Sequence, residues 1–336
     1  MENPSAPLSL KVKAVILLLV LPWLVCGCEA QLDLDGVNQE RGKSLRRTDQ
    51  LLALTTNGTV VTAVGSAGLI LTSPRVSNPE SSRQWTRTEL TGQPNFIDID
   101  SCPDHSMIAL AVEHQIWIST NDGQSWIKSD LPTQEDMLSL TCTPGGDYWV
   151  VGSFSTMLHS SDQGESWEES SLGADAMLTQ VQFFDDRQGV ISGEFGLTAK
   201  TGDGGQDWQS ANNMPDDFYP EGSYFADPQH GWVAGLNGAI LYTGDGGDSW
   251  ERQTTPTNFP IYGFYANAGQ LFAFGDHGTV LELDARHWVA MDAPKLPVYV
   301  RDGVAVTDDL LMVTGGSGAL FTVSIKPDLI ADREPR

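Results

Sequence analysis

The feature that most constrains this chain is an internal repeat of about 41 residues. Four octapeptides recur, STNDGQSW at 119–126, SSDQGESW at 160–167, TGDGGQDW at 201–208 and TGDGGDSW at 243–250, with tryptophans 41, 41 and 42 residues apart. A step back of 41 reaches Trp85, and a step forward of 38 reaches Trp288. A second landmark precedes each octapeptide: a Gly-x-x-Gly turn followed by an apolar strand. It stands at 65–68, 193–196, 235–238, 275–278 and 315–318, shrinks to Gly152 in one repeat and gives way to Val112-Glu113-His114-Gln115 in another. Together the landmarks count seven repeats.

Each repeat reads as four short strands bounded by Gly, Asp, Pro or Asn; in the fifth they are expected at 223–226, 232–235, 239–242 and 250–253. No long apolar period of 3.6 follows residue 30, so helix should be nearly absent. Four-stranded units at this spacing predict an all-β fold, a seven-bladed β-propeller over 46–325 followed by a charged tail at 326–336. The last repeat supplies only three strands, around Val304, Met312 and Phe321. A ring needs its ends joined, so Leu32 to Val37, within the linker at 29–45, is the expected fourth strand that closes it.

The first 28 residues read as a targeting segment. Lys11 and Lys13 precede an apolar run at 14–25, too short to span a bilayer, which ends in Val25-Cys26-Gly27-Cys28. That ending resembles a bacterial lipobox, making Cys28 the expected lipid attachment site and mature N-terminus. Glu29 after it favours an outer-membrane destination in a Gram-negative host, reached on the exported side. The net charge of −25, from 19 Lys and Arg against 44 Asp and Glu, argues against a nucleic-acid partner, since phosphates must be neutralised by cations. Cys102 and Cys142 occupy equivalent positions of adjacent repeats. An oxidising compartment permits a bridge between them, while the distance between neighbouring blades could equally leave two buried thiols. No metal-ligand spacing occurs, and no cofactor is expected.

The octapeptide has the Ser/Thr-x-Asp-x-Gly-x-x-Trp pattern of the Asp box of BNR-type repeats. Its chemistry is that of a hairpin between the third and fourth strands. The carboxylate of Asp162, Asp203 or Asp245, or the amide of Asn121, accepts backbone N–H bonds across the turn; Gly123, Gly164, Gly205 and Gly247 take positive φ; Trp126, Trp167, Trp208 and Trp250 open the outer strand and pack between sheets. A structural role accounts for every element of the motif, and no catalytic or metal role is assigned to it.

A four-stranded meander puts the Asp boxes on one face of the ring and the Gly-x-x-Gly turns, with the blade-to-blade connections, on the other. That second face offers Glu113, His114, Glu194, Phe195, Asn237, Asp276 and His277 on turns, and Tyr262, Tyr299 and Arg301 where connections enter inner strands. An aromatic, acidic rim suits a protein or peptide partner, although the same aromatics could simply pack the strand entries. His114 and His277 read as solvated turn residues. A sialidase would need three arginines converging on a carboxylate. Only Arg301 falls on the right face, and the Phe/Tyr-Arg-Ile-Pro motif is absent, so no enzyme activity is expected. A carbohydrate-active or glycan-binding propeller using paired carboxylates, Glu194 with Asp276, is the competing reading.

The repeats, the Asp boxes, the lipoprotein-type leader and the run Gly-Trp-Val-Ala-Gly-x-x-Gly-x-Ile-Leu-x-Thr-x-Asp-x-Gly-x-x-Trp at 231–250 resemble the Ycf48 (Hcf136) family of photosystem II assembly factors over roughly residues 45–325. The resemblance implies a non-enzymatic chaperone that docks on membrane-protein intermediates on the exported side of a membrane; with the lipid anchor, the chain is expected to be a monomeric, tethered scaffold for a membrane protein or membrane-protein complex. It also implies a basic patch for the partner, and here the chain departs, because its few cations are scattered.

Overall fold

The structure, a computed structural model, describes residues 34–75 and 84–325. The leader and Cys28 lie outside them. No helix among the described residues is long and apolar enough to cross a membrane. The chain divides into an N-terminal unit ending at Lys43 and a second unit from Ser44 onward.

In the second unit seven antiparallel sheets follow one another, six of four strands and the last of three, each a meander in chain order. Their inner strands are Leu51–Thr56, Phe96–Ser101, Met137–Cys142, Leu178–Phe183, Gly222–Phe225, Ile261–Asn267 and Val300–Thr307, which open blades 1 to 7. In the fifth repeat the strands fall at Gly222–Phe225, Gly231–Ala234, Ile240–Thr243 and Glu251–Gln253, within about a residue of expectation. Second strands such as Met107–Ala111 and Tyr148–Gly152 are buried along their whole length, because they are covered by blades on both sides. Outer strands such as Glu168–Ser171 are exposed throughout and correspondingly polar.

The core is a ring of layers between neighbouring blades. Ala53 and Val64 of blade 1 pack on Phe96 and Ala109 of blade 2; Ile108 and Leu110 of blade 2 meet Leu140 and Val150 of blade 3; and the pattern continues to Phe272 and Phe274 of blade 6 against Leu311 and Val313 of blade 7. Such layers leave no separate hydrophobic centre, so the middle of the ring is free to be a channel. All seven inner strands line one of about 460 Å³.

Ring closure differs from the expectation. Residues 35–37 are not a strand: they open a helix, α1 (Asp35–Arg41), with Asp35 in its first turn and Arg41 in its last, the arrangement a helix dipole favours, and it buries none of its residues. Leu32 and Asp33 lie outside the described residues. Blade 7 therefore has three strands among the described residues, and blades 7 and 1 are joined by side-chain packing and by hydrogen bonds. Leu51, Leu54 and Leu71 pack on Val304, Val306 and Met312. The Leu54 N–H donates to Asp302 Oδ2 (2.7 Å), and the Gly318 N–H donates to the Asp49 carbonyl (2.8 Å). The Cys102 and Cys142 alternatives resolve to a disulfide, with Cα atoms 5.3 Å apart. Inner strands converge on the channel, where adjacent blades approach most closely.

Candidate functional site

The four Asp boxes are hairpins held by their own side chains. Asp162 Oδ1 accepts from Ser160 Oγ and the Ser166 N–H, both at 2.8 Å, and the Gly164 N–H donates to Ser160 Oγ at 2.8 Å. Asp245 repeats this with Thr243 and Ser249, and Asp203 with Thr201 and Asp207. In the first box Ser125 is the acceptor, taking a bond from Asn121 Nδ2 at 2.8 Å, where Ser166 donates to Asp162 Oδ2; the amide closes the hairpin by reversing one donor. These bonds hold Asp162 and Asp245 down to about 2, through Ser166 and Ser249 first, and lower Asp203 through the Asp207 N–H. Gly205 has φ +84°, and a Cβ there would stand 2.3 Å from the Trp149 ring of the preceding blade. The hydroxyl at the start of each motif and the Asp or Asn Oδ1 are occupied in building the turn; the Trp126 indole N–H donates to the Gly123 carbonyl (3.2 Å), whereas those of Trp167, Trp208 and Trp250 are buried without a partner.

The opposite face is organised differently. At the tip of every second-to-third-strand turn a non-glycine residue takes left-handed φ: Ala67, His114, Phe154, Phe195, Asn237, His277 and Ser317, all between 54° and 59°. Left-handed backbone suits Asn and disfavours Phe by about 1 kcal/mol. The conformation turns the tip side chains outward. Phe154 is 58% exposed, Leu236 54% and Phe195 50%, and Val112, Tyr219 and Phe259 are exposed beside them. Thus six large apolar side chains form an arc over the turns and connections of blades 2 to 6. Phe259 stacks on His277 with ring centroids 4.0 Å apart, so His277 extends the arc.

Charge on this face is divided by sector. The turns of blades 2, 4 and 6 carry Glu113, Glu194 and Asp276, and the connections between blades 2 and 5 carry Glu135, Asp136, Asp175, Asp216, Asp217 and Glu221, nine acids with no Lys or Arg among them. The cations Lys295, Arg301, Arg46 and Arg47 all lie in the sector from blade 6 through blade 7 to blade 1; Arg46 and Arg47, whose backbone lies against the Gly318 turn, join Arg301 on this face, contrary to the expectation that it stood there alone among the arginines. Glu113 accepts the Asn95 N–H (3.0 Å) and Glu194 the Met177 N–H (3.1 Å), so both are pinned at the rim. Asp276 accepts the His277 N–H (2.8 Å) within its own turn. Glu194 and Asp276 stand on turns two blades apart, each engaged locally. His114 Nε2 lies 3.9 Å from Asp136 and is buried without a hydrogen-bond partner, so His114 is only partly the solvated turn residue expected.

Where the channel opens onto this face, its wall is a layer of Leu52, Ile97 and Leu138 on one side and Thr179, Glu221, Tyr262 and Arg301 on the other. Burial raises the phenols of Tyr219 and Tyr262; Glu221 with Glu194, and Asp276 with Glu221, add to the effect, while Arg301 opposes it. Tyr299 meets Tyr262 edge to face at 6.5 Å and donates to Gln50 Oε1 at 3.1 Å. Deeper in, Asp98 accepts the Leu140 N–H (2.9 Å) and Asp302 the Leu54 N–H, each reaching from one inner strand to the next. Both carboxylates are half-buried, and loss of hydration pushes Asp98 up to about 6 and Asp302 up to about 7. They are blade-to-blade ties. No histidine lines the channel, and no cluster of potential metal ligands occurs among the described residues.

The structure thus brings Tyr262, Tyr299 and Arg301 together at the mouth and spreads Glu113, His114, Glu194, Phe195, Asn237, Asp276 and His277 around the rim. Sequence reasoning did not select Phe154, Leu236 or Phe259 for this face. Their signal was available as an apolar residue inside or beside each turn.

Known proteins share this architecture. The family model for the photosynthesis system II assembly factor YCF48 matches residues 77–176 and 165–260. No curated protein matches the chain. Among solved structures, YCF48 bound to D1 peptide is 14% identical, with 83% of this chain and 93% of that one covered and a TM-score of 0.67. YCF48 from Cyanidioschyzon merolae is 12% identical, with 84% and 97% covered and a TM-score of 0.64. A catalytically inactive variant of virginiamycin B lyase from Staphylococcus aureus, with quinupristin, is 14% identical, with 83% and 96% covered and a TM-score of 0.69. At these identities the likeness is one of fold.

Proposed function

The chain belongs to the photosynthesis system II assembly factor YCF48 family, and on that premise we propose that it is a non-enzymatic assembly scaffold, holding a segment of a membrane protein on its Gly-x-x-Gly face. The observation that carries this reading is the arc of six exposed apolar side chains, all on the turns and connections of one face. Exposed apolar side chains gathered into one patch mark an interaction site, whereas scattered ones do not. That the family includes a structure described as bound to D1 peptide supports a peptide-like ligand. The scaffold works from the exported side of a membrane, tethered through lipid on Cys28, with the outer membrane favoured over an inner or thylakoid one. The Cys102–Cys142 disulfide supports an oxidising compartment. No observation favours the glycan reading, since Glu194 and Asp276 are each tied into separate turns.

The test is photo-crosslinking in the native membrane, with probes at 195 and 259 and a control probe at 203 on the Asp-box face. A membrane protein captured from 195 and 259 alone is the expected result. Equal capture from 203, or recovery of glycan from the first two positions, would overturn the proposal.

A further inference from the structure

The docking face carries a second property that apolar exposure alone does not require. From the turn of blade 2 to the turn of blade 6 its turns and connections hold nine carboxylates and no Lys or Arg, interleaved with the apolar arc. We infer that the segment it receives is cationic as well as apolar: an extended stretch of another protein whose aromatic or aliphatic side chains seat between Phe154, Phe195, Leu236 and Phe259 while its Lys and Arg side chains lie over the carboxylates. The inference rests on the reading of this face as a docking surface and specifies the chemistry of its occupant.

Three observations select that occupant. Charge complementarity comes first: a ligand that covers the arc approaches Asp175, Asp216 and Asp217, which are exposed, and Glu194, which is fixed by its bond to the Met177 N–H. An acidic or neutral segment would either meet repulsion or leave those carboxylates partly desolvated and unpaired, both of which cost affinity. Second, the cations of this face are confined to the other sector, where Lys295, Arg301, Arg46 and Arg47 stand. Arg46 is itself paired with Glu89 (3.0 Å), so a cationic segment finds its uninterrupted run of carboxylates on blades 2 to 6 and not on blades 7 and 1, and the face sets position along the rim as well as affinity. Third, the arc and the acids are contiguous with the mouth layer, where Glu221 and Tyr262 continue the same character. A bilayer bearing anionic headgroups is a poorer fit, because the same nine carboxylates repel it.

A random peptide library displayed on phage and selected on the full chain separates the outcomes. The expected consensus combines Lys or Arg with aromatic or aliphatic residues. A synthetic peptide of that consensus should bind about tenfold tighter than one with Glu in place of its cations, and should weaken about tenfold from low to high salt. Removing charge with Asp175→Asn, Asp216→Asn and Asp217→Asn together should erase most of the preference while leaving a neutral apolar peptide unaffected. An acidic or uncharged consensus that still needs Phe154 and Phe195 would overturn the cationic occupant and leave the docking face standing. Peptides indifferent to Phe154→Asn and Phe195→Asn, or no enriched peptide at all, would overturn both. So would retention on phosphatidylcholine vesicles that is lost on those two substitutions, since a membrane would then be the occupant.

Discussion

At the scale of single residues, the two phenylalanines at turn tips invert the usual relation between sequence and stability. Phe154 and Phe195 sit at φ 54° and 58° with half their surface in water, while Asn237 holds the same position in blade 5 at φ 56°. Neither phenyl contributes to the core clusters, and left-handed backbone costs Phe about 1 kcal/mol more than it costs a residue suited to it. Phe195→Asn should therefore raise unfolding free energy, by up to about 1 kcal/mol, in a denaturant titration, and should weaken partner binding about tenfold in the same preparation. A variant that loses stability and keeps its binding would show that the phenyl is a packing residue. The Asp boxes carry the opposite lesson. Their hydroxyl and Asp or Asn Oδ1 bonds are legible from residue types, because a hairpin closed by one carboxylate, one hydroxyl and one glycine is a local object.

At the scale of elements, locality also decides what was legible. Blade number, strand count and the division of turns between two faces follow from landmarks within a single repeat. Ring closure and the disulfide depend on how blades meet, and there the sequence was ambiguous. Leu32 and Leu34 alternate like a strand, yet 35–37 enter α1, and closure falls to Asp302, Leu54 and their neighbours. Cys142 ends the inner strand of blade 3 and Cys102 directly follows that of blade 2, and their Cα atoms stand 5.3 Å apart. The bridge ties blade 2 to blade 3 across a separation of 40 residues, and constraining a loop of that size in the unfolded chain is worth about 4 kcal/mol in the chain-entropy account. Cys102→Ser should lower the denaturant midpoint accordingly, with the wild-type protein matching it once reduced. Equal midpoints for oxidised and reduced wild type would rule out a stabilising bridge. The arc of blades 2 to 6 was legible only in part. Its members come from five repeats, and only the closed ring shows that their tips share a rim.

At the scale of the whole molecule, two sets of carboxylates set opposite limbs of the pH profile. Asp162 and Asp245, held at about 2, stabilise the fold at neutral pH through their bonds to the Asp-box serines, and that contribution disappears as pH falls from about 4 through 2. Asp98 and Asp302 work the other way. Burial raises them to about 6 and about 7, above their unfolded values near 4, so the folded chain holds protons that the unfolded chain has released. Their contribution is complete below about pH 4 and is lost as pH rises through 7. Both stand half in water on the channel wall, which moderates the penalty, and the decline should be on the order of 2 kcal/mol between pH 4 and 8. Stability should then peak in mildly acid solution. Asp302→Asn keeps an oxygen for the Leu54 N–H and removes one titration, so it should flatten the limb between pH 4 and 7 while leaving the limb below 4 unchanged. Chemical denaturation across pH reads both limbs. Because Asp302 joins blade 7 to blade 1, the protection of the Leu54 N–H relative to its intrinsic exchange rate should fall along the same neutral limb; protection that stays constant across it would show that the charge is accommodated without opening the ring.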